Sequence, residues 1–321
     1  MRIFSLQRCK HLLIMFALAI PFDAMALSNS GKVPVLMYHS HYSVAPCDYP
    51  HHASMALAQD LELLNSKGFT VVPVYWITQW ALGDLDGSAL PDKVVGLTFD
   101  DGADTDWIDN IIPSHPCAPL KSFRAVLQDF KAAHPSLPWY SPHASSFVIG
   151  SPVARSVIFG PYMNDSWWAA ANASGLIEIY NHSADHDHIT LTSGPYWDPD
   201  LSTNIPILGY SSSPSWSGGG NFLGIDNYES STREIVNSSS YIATKIGAMP
   251  DLFAYPNGNA SNYLRYTYFP YYTSEHHTYA AYSTVPTYVT RSSERYFMPR
   301  ISHFTDWTTP AQLSAILDGA P

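Results

Sequence analysis

The sequence predicts an α/β fold with parallel strands, a sheet covered on both faces and closing as a barrel. Two observations carry this. Short apolar runs, such as Val33–Tyr38 and Val94–Phe99, alternate along the chain with amphipathic stretches of helical period. Within each run the apolar character is continuous. A strand with one wet face would alternate, so these strands are buried on both sides. Buried strands linked through helices build parallel sheets.

In chain order, Val33–Tyr38 reads as the first strand. Ser54 reads as the N-cap of a helix with Leu57, Leu61 and Leu64 on one face, stopped at Gly68. Thr70–Val74 and Val94–Phe99 follow as strands. Ser122–His134 is helical, with Phe123, Val126, Leu127 and Phe130 turned inward. Ala144–Ile149 and Leu176–Ile179 are strands, and Glu229–Gly247 is a helix carrying Ile235, Ile242 and Ile246. Leu252–Ala254 and Tyr279–Ser283 are short strands, and Pro310–Leu317 is a closing helix. Ser211–Asn221, "SSSPSWSGGGN", reads as a mobile loop or lid.

Residues 1–26 read as a secretory signal peptide. Arg2, Arg8 and Lys10 precede an apolar core from Leu12 to Ile20, and Ala24-Met25-Ala26 is a small-x-small cleavage pattern. An exported protein is expected, with residues 27–321 as its folded part. No other apolar run is long enough for a membrane span. Without the leader the chain has 13 Lys and Arg against 26 Asp and Glu, a formal charge of −13. Such a surface repels nucleic acid and anionic lipid. Aromatic residues make up 14% of the chain, which suits stacking on sugar rings as well as ordinary core packing. Cys47 and Cys117 remain after the leader; in an exported chain they suit one disulfide, and the residues alone leave the pairing open. The oligomeric state is not legible.

Chemistry concentrates at strand ends. "LTFDDG", Leu97–Gly102, puts Asp100 and Asp101 directly after an apolar strand, and Gly102 lets the backbone turn sharply. Consecutive side chains point in different directions, so one carboxylate can bind a cation while the other faces substrate. "YNHSADHDH", Tyr180–His188, follows the next strand but one. His182 and His186 are spaced i, i+4, so on one helical turn both imidazoles reach one ion, with Asp185 or His188 as hydrogen-bonding partners. A His-rich polar loop is the plain alternative. The zincin pattern HExxH is absent, because Ser183 stands in place of its Glu. His39 ends the first strand and either lies near the metal or caps a loop. His51-His52 and His276-His277 read as surface pairs. The sequon Asn181-His182-Ser183 reads as accidental, since a glycan there would block the site.

The chain resembles the polysaccharide deacetylases, carbohydrate esterase family 4, with their NodB homology domain. "TFDDG" at Thr98–Gly102 matches the first family motif, and "HSADH" at His182–His186 matches H-S/T-x-x-H. "FAYPNG" resembles a variant third motif, and "ISH" at Ile301–His303 resembles the fifth. The resemblance spans Val33 to about Trp307. It implies a distorted (β/α)7-type barrel with parallel strands. It further implies a divalent metal, most often zinc, held by Asp101, His182 and His186. Asp100 would be the general base, His303 the general acid, and the backbone N–H of Asn257 an oxyanion donor. The Arg that many members carry in the third motif is replaced by Ala254, and Arg300 is the candidate substitute for orienting the base. Trp107, Trp167 and Trp168 are candidate sugar platforms, with burial as the alternative. The implied activity is metal-dependent removal of N-acetyl groups from a carbohydrate polymer or oligomer. An O-acetyl polysaccharide esterase and a catalytically silent carbohydrate-binding protein are the alternatives.

Overall fold

A computed structural model describes residues 31–40, 47–49, 51–158, 162–186, 196–198, 203–205 and 222–320. The leader, the lid assigned to Ser211–Asn221 and His188 lie outside the described residues. The central strand is Val94–Phe99 (β3), whose six residues are all buried. It pairs in parallel with Val35–Tyr38 (β1), Thr70–Val71 (β2) and Ala144–Val148 (β4). Ile177–Asn181 (β5) adds to β4. Tyr196–Asp198 (β6) and Thr203–Ile205 (β7) form a separate antiparallel hairpin. Leu252–Ala254 (β8), Ala280–Tyr282 (β9) and Ile301–Ser302 (β10) complete the sheet in the order β10-β1-β3-β4-β5-β8-β9, with β2 beside β3. Met298, just before β10, bridges Tyr282 of β9, so the two ends of this curled sheet approach one another. The fold is a distorted (β/α) barrel with seven strands on its path.

Side chains divide by strand parity. Leu36 and Tyr38 face Leu57 and Leu61 of helix α1 (Ala53–Ser66), along with the helices Phe123–Ala133 and Pro310–Asp318. Val35 faces the other way. It clusters with Phe147, Ala254 and Tyr282 from three other strands and with Val74, Ile77 and Trp80. Those last residues belong to helix α2 (Val74–Leu82), which fills the inside of the curl. Gly96 permits the approach: a Cβ there would lie 2.8 Å from Cγ2 of Val74.

Several sequence expectations are corrected. His52, not Ser54, occupies the N-cap of α1, and Ser54 Oγ instead donates to the Lys121 carbonyl at 2.6 Å. The expected strand Thr70–Val74 ends at Val71; Pro73 caps α2, and Val74 is its first residue. The region around Trp167 and Trp168 is no platform. A short helix, Trp168–Ala173, turns Trp168 wholly inward, and Trp167 is buried with its Nε1 donating to Asp104. Only half-buried Trp107 keeps an accessible face, stacked at 6.5 Å on Trp167. Neither His pair is a surface pair. His52 is buried, and buried His276 bonds the Phe269 carbonyl and the Thr278 N–H. Cys47 and Cys117 form a disulfide.

Candidate active site

The two carboxylates, His182, Asn257 and His303 sit past the C-terminal ends of parallel strands, where such barrels present their chemistry, while Arg300 reaches in from just before β10. Asp100 and Asp101 follow β3, His182 follows β5, Asn257 lies beyond β8, and His303 follows β10. The turn after β3 explains the DDG spelling. Asp101 and Gly102 both have φ of 75°. Asp tolerates that left-handed conformation better than most residues, and Gly freely. A Cβ on Gly102 would also meet the Val148 side chain at 2.6 Å. The sharp turn sends the two carboxylates to different partners.

His182 and His186 do converge, but not on a helical turn. Ser183 and His186 have φ of 75° and 65°, and the loop is held by side chains and strand ends. His182 N–H donates to the Val148 carbonyl, Ser183 N–H to Asn181 Oδ1, and His186 N–H to Ser183 Oγ. Buried Glu234 accepts from the N–H groups of Ala184 and Asp185. Asn181 is itself buried, bonding Ile235 and Ser239, which fits the reading of its sequon as accidental.

Asp101, His182 and His186 are all buried, and one ligand atom from each lies within 4.8 Å of the others. His186 Nε2 is 3.1 Å and His182 Nε2 3.5 Å from Asp101 Oδ1. The donor set fits a divalent metal. His182 Nδ1 lies 2.8 Å from the Ala254 carbonyl, which makes it the N–H and leaves the Nε2 lone pair facing Asp101. For His182 the orienting partner is thus a main-chain carbonyl, where the sequence offered Asp185 or His188 as hydrogen-bonding partners of the two imidazoles. Burial also pushes His182 down to about 4, so the ring is neutral, as a ligand must be. His39 joins the group, its Nε2 3.8 Å from Asp101 Oδ2.

Asp100 faces the same space with a different partner. Arg300, wholly buried, donates from Nη1 to Asp100 Oδ1 at 2.6 Å and from Nη2 to Oδ2 at 2.7 Å. Its Nε donates to the Ser283 carbonyl at 3.0 Å, which fixes the fork. Burial alone would raise the Asp100 pKa. The Arg300 guanidinium, His182 and the hydrogen bonds outweigh it and hold the carboxyl below its usual range.

His303 sits across a cavity of about 380 Å³ that is also lined by His39, Asp100, His182, His186, Asn257 and Phe304. Its ring is stacked on Tyr38 at 5.3 Å and meets Tyr49 and Trp307 edge-on at 5.7 and 5.4 Å. Burial, with His39, pushes it down to about 4. Sequence reasoning missed these three rings and Phe304. The spacing of Trp307 four residues after His303 was the available signal; Tyr49 had none.

A parallel (β/α) barrel with a buried Asp–His–His group and a second carboxylate facing one cavity at its strand ends has the layout of a hydrolytic enzyme's site. The chain belongs to the polysaccharide deacetylase family, whose model matches residues 87–268. Among solved structures, IcaB from Ammonifex degensii is 20% identical over 91% of this chain and 99% of its own, with a TM-score of 0.57. The Streptococcus pyogenes deacetylase PplD, in complex with acetate, is 15% identical over 90% of this chain and 99% of its own, also at 0.57. A polysaccharide deacetylase from Bacillus cereus is 19% identical over 90% of this chain and 69% of its own, at 0.55. At these identities the likeness is one of fold. No curated protein matches the chain.

Proposed function

We propose that this chain is an exported, divalent-metal-dependent hydrolase, with zinc as the metal, that removes N-acetyl groups from a carbohydrate polymer or oligomer. The observation that carries this reading is the division of the acidic doublet. Asp101 joins His182 and His186 around one point, while Asp100 is gripped by Arg300 and faces the same cavity. Export is supported by the leader pattern and by the Cys47–Cys117 disulfide, a bond typical of oxidising compartments.

A bound divalent ion would act as a Lewis acid on the acetyl carbonyl and lower the pKa of water from about 15.7 to roughly 7. The protein's own groups then divide the remaining work. Asp100, ionised and fixed by Arg300, accepts a proton from the attacking water. Asn257, in a left-handed turn at φ 53°, offers its N–H to the developing oxyanion. His303 passes a proton to the leaving amine, which departs poorly without one. Because His303 is neutral in the free protein at pH 7, it takes that proton from solvent before the amine leaves, and the balance closes when Asp100 returns the proton of the attacking water to solvent.

Acetate release across a panel of N- and O-acetylated glycans tests the reading, with Asp100→Asn as the control. Release from N-acetylated chains, abolished by chelation and restored by Zn2+, supports it. Release from O-acetylated chains alone moves the assignment to an esterase. Glycan binding without any release makes the chain a binding protein.

A further inference from the structure

We propose that Asp60, on helix α1 and outside the cavity, is a positioning residue for His303, acting through the three aromatic rings that enclose the imidazole. The inference rests on the reading of His303 as proton donor. Asp60 is wholly buried on the apolar face of α1, among Leu57, Leu61 and Leu64. A carboxylate there is costly unless hydrogen bonds satisfy it. It accepts from Tyr38 Oη at 3.0 Å, from Tyr49 Oη at 3.0 Å and from Trp307 Nε1 at 3.2 Å. Those are the same three rings that pack on His303.

The three donors come from distant parts of the chain: the end of β1, the strap beside Cys47, and the turn after β10. Nothing in their local sequence makes them converge; one acceptor gathers them. His303 needs such a device. Its Nε2 is buried, and among the described residues no hydrogen bond fixes its ring. Packing alone sets the direction in which the imidazole points. Two ring hydroxyls and an indole N–H tied to one carboxylate lock each wall in rotation and depth. The Cys47–Cys117 disulfide holds the strap that carries Tyr49, so the outermost wall is anchored covalently as well.

A structural role alone would lower every activity together. A role through His303 falls on substrates whose leaving group needs a proton. The test therefore compares an N-acetylglucosamine tetramer with p-nitrophenyl acetate, whose phenolate leaves unaided. Asp60→Asn places an amide N–H against one of the donors and opens the cage. Tyr49→Phe removes one bond and keeps the ring, which covers the case in which Asp60→Asn does not fold. The expected result is a fall in the amide-to-aryl-ester ratio of about tenfold or more for Asp60→Asn, with a smaller fall for Tyr49→Phe. Imidazole resonances of labelled histidine, with His303 assigned through His303→Gln, should shift and broaden in both variants. Equal loss on both substrates, or an unmoved His303 signal in a folded variant, overturns the inference. If wild type hydrolyses neither substrate, the deacetylase reading fails, and the His303 resonance still decides the role of Asp60.

Discussion

Arg300 holds Asp100 through two parallel N–H···O bonds of 2.6 and 2.7 Å, although the residues are 200 positions apart in sequence. Both side chains are buried, and the guanidinium is pinned from behind by the Ser283 carbonyl. Ala254 in the third motif carries no guanidinium, and the one that grips Asp100 belongs to Arg300.

Removing that partner has a signed consequence. In Arg300→Ala, burial acts on Asp100 against only the weaker pull of His182 and His39, and its pKa rises. The acid limb of the kcat/KM profile therefore moves to higher pH. Turnover should fall about 100-fold, since a carboxylate displaced by an ångström loses its alignment with the attacking water. Stability should drop by about 3–5 kcal/mol, the usual result of leaving a buried charge alone. Arg300→Lys keeps the charge but not the fork, and should fall between wild type and Arg300→Ala. An unmoved acid limb with intact turnover removes Arg300 from the mechanism.

Metal content gives the second check. Asp101→Ala, His182→Ala and His186→Ala each remove one donor from a group of three, so each should purify without stoichiometric metal and release no acetate. In wild type, a ligand present at 100 times its dissociation constant adds about 2.7 kcal/mol of stability. Chelation should therefore lower the melting temperature of wild type and leave that of the three variants unchanged. A wild type insensitive to both chelator and Zn2+ contradicts the assignment.

The sequence made the strand ends legible because burial leaves a continuous apolar run and chemistry interrupts it at once, as in Val94–Phe99 followed by Asp100 and Asp101. Grouping of the two imidazoles was legible too, though for a different reason than spacing on a helical turn; side-chain hydrogen bonds from Asn181 and Ser183 shape that loop. Three things were not legible. α2 was hidden, because Val74 and Ile77 are as β-branched as any strand residue, although Pro73 at its N-cap and Gly83 at its left-handed C-cap bound it. The burial of Trp167 depends on Asp104, a partner 63 residues away. The box around His303 depends on Asp60, whose helical position reads as an ordinary polar site until the fold brings three donors to it.

Phe304 gives a third prediction. It directly follows His303, lines the cavity, stays 48% exposed and has φ of 73°. A bulky residue in that region is strained by about 1–3 kcal/mol. Strain retained at a cavity rim keeps a flat apolar face beside the reacting groups, where a sugar ring can stack. Phe304→Gly should raise the melting temperature by relieving the backbone and raise KM for an N-acetylglucosamine tetramer about fivefold, the loss of ~1 kcal/mol of stacking. Phe304→Trp should restore the affinity. A KM unchanged in Phe304→Gly excludes the stacking role.

The fourth prediction concerns pH and stability. Asp106 is wholly buried next to the site, and Ser146 Oγ donates to it at 2.7 Å. Burial pushes it up to about 7; hydrogen bonds from Ser40 and Ser146 oppose the rise, and the charges of Asp101 and Asp100 add to it. Burial likewise raises Asp60 and Asp251 to about 6. A raised folded-state pKa means that the native protein keeps a proton the unfolded chain has released. The stabilisation is complete below the ordinary value of 3.8 and is lost as pH climbs through the folded value. Asp100 works in the opposite sense, contributing above its ordinary value and losing that contribution as pH falls toward its lowered one. In metal-stripped protein these raised carboxyls favour the fold near pH 5 over pH 8, while His182, His276 and His303, each held down to about 4, oppose them as pH falls below the ordinary histidine value of 6.5. Within the window between the two pKa values each raised carboxyl contributes a slope of up to about 1.4 kcal/mol per pH unit. Asp106→Asn mimics the protonated form, so its stability relative to wild type should rise between pH 5 and pH 7. Melting temperatures measured from pH 4 to 8 on both proteins decide it: a difference between Asp106→Asn and wild type that stays constant from pH 5 to pH 7 rules out a neutral Asp106 behind the doublet.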